Sequence, residues 1–204
     1  MKTLKGNTMN RALRNSRGPS RQGFTMVELM VSLAIFGVVM GVVFGFLVGA
    51  RNSYQATRER VQYQQSMRAV MSLITREVRS SGCDPSSAGF ESFTVASPNI
   101  LQCSMDLNGD GDVTDSGPDE TVMYAYNAGA EVLLRFDGVV AMTVLRNLNN
   151  MTFTYFDAAG AVLGGTPLSA LDRALVRYVE VMMDGETDEG EPVSFTSRIA
   201  VRNG

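Results

Sequence analysis

The sequence contains no histidine and no tryptophan, and only two of its 204 residues are cysteine. Without imidazole it lacks the usual neutral-pH general base and the commonest metal ligand, which excludes histidine-dependent triads and zinc hydrolase sites. Acidic side chains are missing from residues 1–23, which hold six basic ones: Lys2, Lys5, Arg11, Arg14, Arg17 and Arg21. The rest of the chain keeps 12 basic against 21 acidic side chains, a balance of −9. An acidic body of that kind does not suit nucleic acid phosphates, so no nucleic acid partner is expected. Adjacent carboxylates such as Asp119-Glu120 and Asp188-Glu189 lie in turn-like acidic stretches with no base, nucleophile or oxyanion donor beside them, and no enzyme is expected.

Charge is also scarce from 24 to 50, where Glu28 is the single ionisable side chain in 27 residues. Residues 29–50 form an uncharged run of 22, roughly 33 Å of helix, which is enough to span a bilayer core. The basic flank precedes this run, which places 1–23 in the cytoplasm and everything after Arg51 outside it by the positive-inside rule. A cleaved secretory signal has a shorter apolar core with a small-residue cleavage site after it. Here the informative junction comes first: Gly23-Phe24-Thr25-Met26-Val27-Glu28 sets an apolar stretch directly after a glycine, with one carboxylate near its start. A lone Glu about a turn into a membrane helix costs on the order of 2.5 kcal/mol or more, so it requires a partner. An amine freed by a cut after Gly23 is a positive charge of the right kind, whether its own or a neighbour's.

The run Gly23-Phe24-Thr25-Met26-Val27-Glu28-Leu29-Met30-Val31, behind a basic leader and ahead of an apolar helix, resembles the class III signal of type IV pilins and type II secretion pseudopilins. The resemblance implies that prepilin peptidase cuts after Gly23, that Phe24 becomes the methylated N-terminus, and that Glu28 pairs with a neighbouring subunit's amine during assembly. The plain alternative is an uncleaved signal anchor. Gly37, Gly41, Gly45 and Gly49 follow at four-residue spacing on one helical face, which suits close packing of filament helices; glycine is also simply common in membrane helices. The proline that bends this helix in many major pilins is missing.

Beyond Arg51 the chain stays helix-compatible, with Val61, Met67, Val70, Met71, Ile74 and Val78 making one apolar stripe. Arg58, Arg60, Arg68, Arg76 and Arg79 fall on the other surface and read as a solvated face rather than a binding patch. No Gly or Pro interrupts before Gly82, so one helix is expected over 24–81, about 87 Å long. The segments 61–68 and 73–79, the Gly82 to Pro85 turn, Asn150-Met-Thr-Phe-Thr-Tyr155-Phe-Asp157-Ala-Ala-Gly160 and the ending Ser197-Arg-Ile-Ala-Val-Arg-Asn203 are similar to PilW-like minor pilins. Strands are expected at 93–96, 121–126, 132–136, 139–145, 151–156, 174–183 and 193–201, bounded by Gly, Asn, Asp and Pro clusters. The last two should form an antiparallel hairpin with an acidic loop, and Tyr155 and Tyr178 read as core.

The expected architecture is α+β and type IV pilin-like, a long N-terminal helix packed on an antiparallel β-sheet head. Its parts are a cleaved leader (1–23), a transmembrane or filament-core helix (24–50), the periplasmic half of that helix (51–82) and the head (83–204). Cys83 and Cys103, both outside the cytoplasm on this topology, favour a disulfide closing a loop of about 20 residues, worth roughly 3 kcal/mol; two free thiols are the alternative. Asp106, Asn108, Asp110, Asp112, Thr114 and Asp115 match the first half of a calcium loop, with Gly111 after the third ligand. Gly117 stands where the bidentate Glu is expected, so closure falls to Asp115, Asp119 or Glu120. Solvated turns use the same residue types, but carboxylates this dense favour a structural calcium ion.

These features indicate a PilW-like minor pilin that leaves the inner membrane for a pilus and takes part in its assembly or initiation, with other pilins and prepilin peptidase as partners. A type II secretion minor pseudopilin similar to the J subunit is the alternative. A membrane-tethered calcium-dependent adhesion or binding module is a third, and it predicts an uncut Gly23.

Overall fold

The computed structural model describes residues 23–114 and 119–201, and the chain divides into two compact units, Met1–Ala50 and Arg51–Gly204. The basic leader and Asp115, Arg202 and Asn203 lie outside the described residues. The first element, α1 (Met26–Ser80), is a single 55-residue helix. It opens on Thr25, whose Oγ1 accepts the Glu28 N–H at 3.2 Å while its carbonyl accepts Leu29 N–H at 3.1 Å. Thr25-x-x-Glu28 is thus the N-terminal signature of a helix, and it satisfies a donor that would otherwise be orphaned. The helix ends where Gly82 takes φ 72°, a left-handed conformation that costs glycine nothing.

Within the first unit, residues 26–50 of α1 are exposed at every position. In the second unit the same helix buries Met67, Val70, Met71, Ile74 and Val78, the stripe expected from the spacing, in one core with Phe93, Leu101, Tyr124 and Leu133. Each such side chain contributes about 1.5–3 kcal/mol of burial.

The head is built from β1 (Phe93–Ala96), β2 (Ile100–Ser104), β3 (Thr121–Asn127), β4 (Val132–Phe136), β5 (Ala141–Leu145), β6 (Leu148–Phe156), the short helix α2 (Ala170–Ala174), β7 (Tyr178–Glu186) and β8 (Pro192–Ala200). Two sheets result rather than one. β1 to β5 form an antiparallel meander in chain order, and β6-β7-β8 form a second antiparallel sheet. Alternate residues of β3, β4 and β7 point inward, the period-2 pattern of strands with one face on the core. The second sheet and the connection after it are bonded to the first sheet's β1 and its turn: Phe153 N–H donates to Pro98 O at 2.7 Å, Leu168 N–H to Ala96 O at 2.8 Å, and the buried Tyr155 hydroxyl to Ser97 O at 2.8 Å. Tyr155 is core as expected, whereas Tyr178 is only half-buried.

The expected hairpin is present, with Val179 opposite Ile199 and Met183 opposite Phe195, but its strands run farther than expected and leave a tight turn at 187–191. Other elements differ from expectation: β6 begins at Leu148 rather than at 151, and α2 has no expected counterpart. β2 had no strand assigned, since its five residues carry no long alternation. The strand expected at 139–145 begins at Ala141, because the Asp137 carboxylate accepts Val139 and Val140 N–H and folds the chain into a turn at Gly138. The strand expected at 174–183 begins at Tyr178, because Ser169 caps the single turn of α2 by accepting Asp172 N–H.

Candidate functional site

Two regions carry the candidate residues. At the start of α1, Gly23 and Phe24 precede the cap, and Phe24 is 82% exposed. The cap sets Glu28 in the first turn, where a carboxylate meets the positive end of the helix dipole. Gly37, Gly41, Gly45 and Gly49 are all exposed, and a Cβ at any of them would meet nothing within 4 Å. Along this stretch Phe36, Phe44, Phe46 and Leu47 face outward as well. The helix is long and apolar enough to cross a membrane: its 25 residues up to Ala50 reach about 38 Å.

The second region is the acidic loop after β2. Asp106 is fully buried and holds the turn: Oδ1 accepts Gly109 N–H at 2.5 Å, and Oδ2 accepts Gly111 N–H at 3.0 Å and the Ser86 hydroxyl at 3.0 Å. Gly109 and Gly111 both have positive φ, which the turn requires. A chain of short-range bonds follows, from Asp110 N–H to Asn108 Oδ1, Asp112 N–H to Asp110 Oδ1, and Thr114 N–H and hydroxyl to Asp112 Oδ1. Of the six residues expected to hold calcium, the structure gathers the Asp110 and Asp112 carboxylates with Glu120, all with an oxygen within 4.8 Å of one another. Asp106 accepts from the loop's own backbone, Asn108 accepts Asp110 N–H and donates to Asp110 Oδ2 at 2.9 Å, the Thr114 hydroxyl donates to Asp112 Oδ1, and Asp115 lies outside the described residues.

Beside this loop is a cluster that the sequence did not single out. Glu77 of α1 is 6% exposed and accepts from Arg135 of β4, with Arg135 Nη2 at 2.8 Å, and from the Tyr124 hydroxyl. Arg135 also reaches Asp119 at 2.9 Å. Burial works against the Arg135 charge, but the bonds to Glu77 and Asp119 outweigh it and hold its pKa above the ordinary value. Burial, then the Glu77 charge, pushes the Tyr124 hydroxyl up. Glu77 lies three residues after Ile74 and seven after Val70, at the edge of the apolar stripe, so the helical spacing points it toward the core although its charge reads as solvated.

The expected disulfide is not formed: Cys83 and Cys103 are free thiols, the first half-buried and the second buried in the core. Backbone bonds make the tie that the disulfide was expected to make. Gly82 N–H donates to Ser104 O at 2.9 Å, and Asp106 N–H donates to Cys83 O at 2.8 Å, which joins the end of α1 to the acidic loop. Burial pushes the Cys103 thiol pKa well up, assisted by the Glu77 charge, so it is an inert core residue. Asp84, at the same turn, is held below the ordinary carboxylate range by the N–H groups of Gly89 and Ala88.

Residues 18–44 match the family described as the prokaryotic N-terminal methylation motif, which covers the leader junction and the first part of α1. A long N-terminal helix apolar enough to cross a membrane, antiparallel β-sheets after it and this prepilin-type motif together give the chain a type IV pilin-like arrangement. Such a motif implies processing by prepilin peptidase and assembly with other pilins. No curated protein matches the chain.

Proposed function

We propose that this protein is a PilW-like minor pilin, cut after Gly23, methylated at Phe24 and incorporated at the start of type IV pilus assembly. The observation that supports this reading most is the juxtaposition of the Gly23-Phe24 junction, the capped first turn with Glu28, and an apolar helix without a buried residue up to Ala50. Before assembly the leader is cytoplasmic and the head periplasmic. On leaving the bilayer, the helix exchanges lipid for other pilin helices. Glu28 gains the amine of a neighbouring Phe24, which offsets the cost of holding a carboxylate in an apolar bundle. The row from Gly37 to Gly49 provides the face on which backbones approach.

Deleting the gene tests the assignment. Loss of surface pili with protein secretion intact is the expected result. Retained pili with exported proteins accumulating in the periplasm would make the chain a type II secretion pseudopilin. Within the pilus reading, Glu28→Val should leave processing intact and abolish surface piliation, and normal piliation in that variant would remove the charge-pairing role.

A further inference from the structure

The carboxylate of Glu120 is split between two environments. Its Oε1 accepts the N–H groups of Leu107 at 3.0 Å and Asn108 at 3.3 Å, which locks it onto the acidic loop. Its Oε2 is buried and has no hydrogen-bond partner among the described residues, although Glu120 as a whole is 0% exposed. A buried carboxylate oxygen without a donor is costly and requires a counter-charge. Arg135 does not provide one, since its bonds go to Glu77 and to Asp119 on the preceding residue. What Glu120 meets is more negative charge, because its carboxylate lies within 4.8 Å of those of Asp110 and Asp112.

We propose that Asp110, Asp112 and Glu120 form a calcium site, closed by Glu120 in place of the acidic residue missing at position 117. Ligand oxygens on a calcium ion lie up to about 5 Å apart, twice the metal–oxygen bond, and the three carboxylates fall inside that limit. The donor set is oxygen only and of high charge density, as hard cations require. Asp110 and Asp112 are exposed, so water can complete the coordination shell, while Glu120 is fixed by two backbone donors before any ion arrives. The Arg135 bond to Asp119 steadies the chain beside Glu120, so the Glu77 cluster positions the closing ligand without touching the ion. Asp106 shapes the turn, and its carboxylate is not among the three that converge. Binding here is independent of how the N-terminal helix is used, and its failure would leave the pilin assignment untouched.

Calcium chloride titrated calorimetrically into the chelator-washed full chain in detergent micelles tests this. One saturable equivalent is expected, with affinity reduced at least tenfold in Glu120→Gln and in the exposed variant Asp112→Asn, and unchanged in Glu91→Gln elsewhere on the head. Circular dichroism checks that each variant is folded; if Glu120→Gln is not, Asp112→Asn decides. The site is overturned by the absence of saturable binding up to about 5 mM calcium, or by variants that bind as the parent does. Equally tight binding of magnesium would overturn the assignment to calcium.

Discussion

Between residues 26 and 50, α1 exposes Phe36, Phe44 and Phe46, the last at 79%, whereas between 67 and 78 it hides Met67, Ile74 and Val78 completely. The backbone is the same and the side chains are equally apolar. The second stretch meets strands of its own chain, and its burial stabilises the head. The first is exposed at every position, so at about 1.5–3 kcal/mol per large side chain it calls for lipid or other subunits. Stability of the head is therefore set by residues separate from those of the exposed stretch.

The sharpest way to break that separation is at Glu77. Glu77→Ala leaves Arg135 buried with its main counter-charge gone, and should cost the head about 3–5 kcal/mol in denaturant unfolding. Val38→Ala, in the exposed stretch, should leave the same unfolding curve unmoved. The glycines give a second contrast. A Cβ on Gly185 would lie 2.5 Å from the Asn147 carbonyl and closer still to the Tyr63 hydroxyl, so Gly185→Ala should destabilise the head by about 1–3 kcal/mol. Gly41→Ala meets nothing and should instead raise the helicity of the isolated chain, by about 1 kcal/mol, while lowering incorporation into filaments. Normal incorporation would remove the packing role of that face.

The smallest effect is in alkali. Burial pushes the hydroxyls of Tyr124 and Tyr155 up, and that of Tyr63 up to about 12, with the Cys103 and Glu186 charges adding at Tyr155 and Tyr63. These groups stay protonated when folded and ionise from about pH 10 when unfolded, so the stability they provide is complete below pH 10 and is lost as pH rises toward their folded values. For Tyr124 and Tyr155 the loss half a unit above pH 10 is under about 1 kcal/mol each. Tyrosinate absorbance for these three should appear together with the loss of circular dichroism. Ionisation of all six tyrosines in the still-folded head would contradict their burial.

Much of this was legible in the chain. The long helix, its apolar stripe and most of the strands follow from periodicities that burial itself imposes. The N-terminal methylation motif was legible because its residue types and spacing are specific. What escaped were features set by partners distant in sequence. Glu77 and Arg135 are 58 residues apart and each alone reads as solvated. β2 and α2 are too short to show a period. The disulfide was inferred from compartment, which says nothing of where two side chains point. In the acidic loop the turn-forming glycines and alternate oxygens were visible, but the division of labour was not. Asp106, expected as a first ligand, holds the turn through Gly109 and Gly111 N–H, while Glu120, three residues past the expected closing position, has a buried oxygen with no partner among the described residues.

The central claim, that the exposed half of α1 becomes an N-terminal assembly helix, is tested most directly by intact mass and N-terminal analysis of the full chain expressed with and without a prepilin peptidase. The expected product with the peptidase begins at a methylated Phe24, and without it the leader remains. A chain left uncut in both, or cut near Ala50, would contradict the claim and leave a tethered or secreted head in its place.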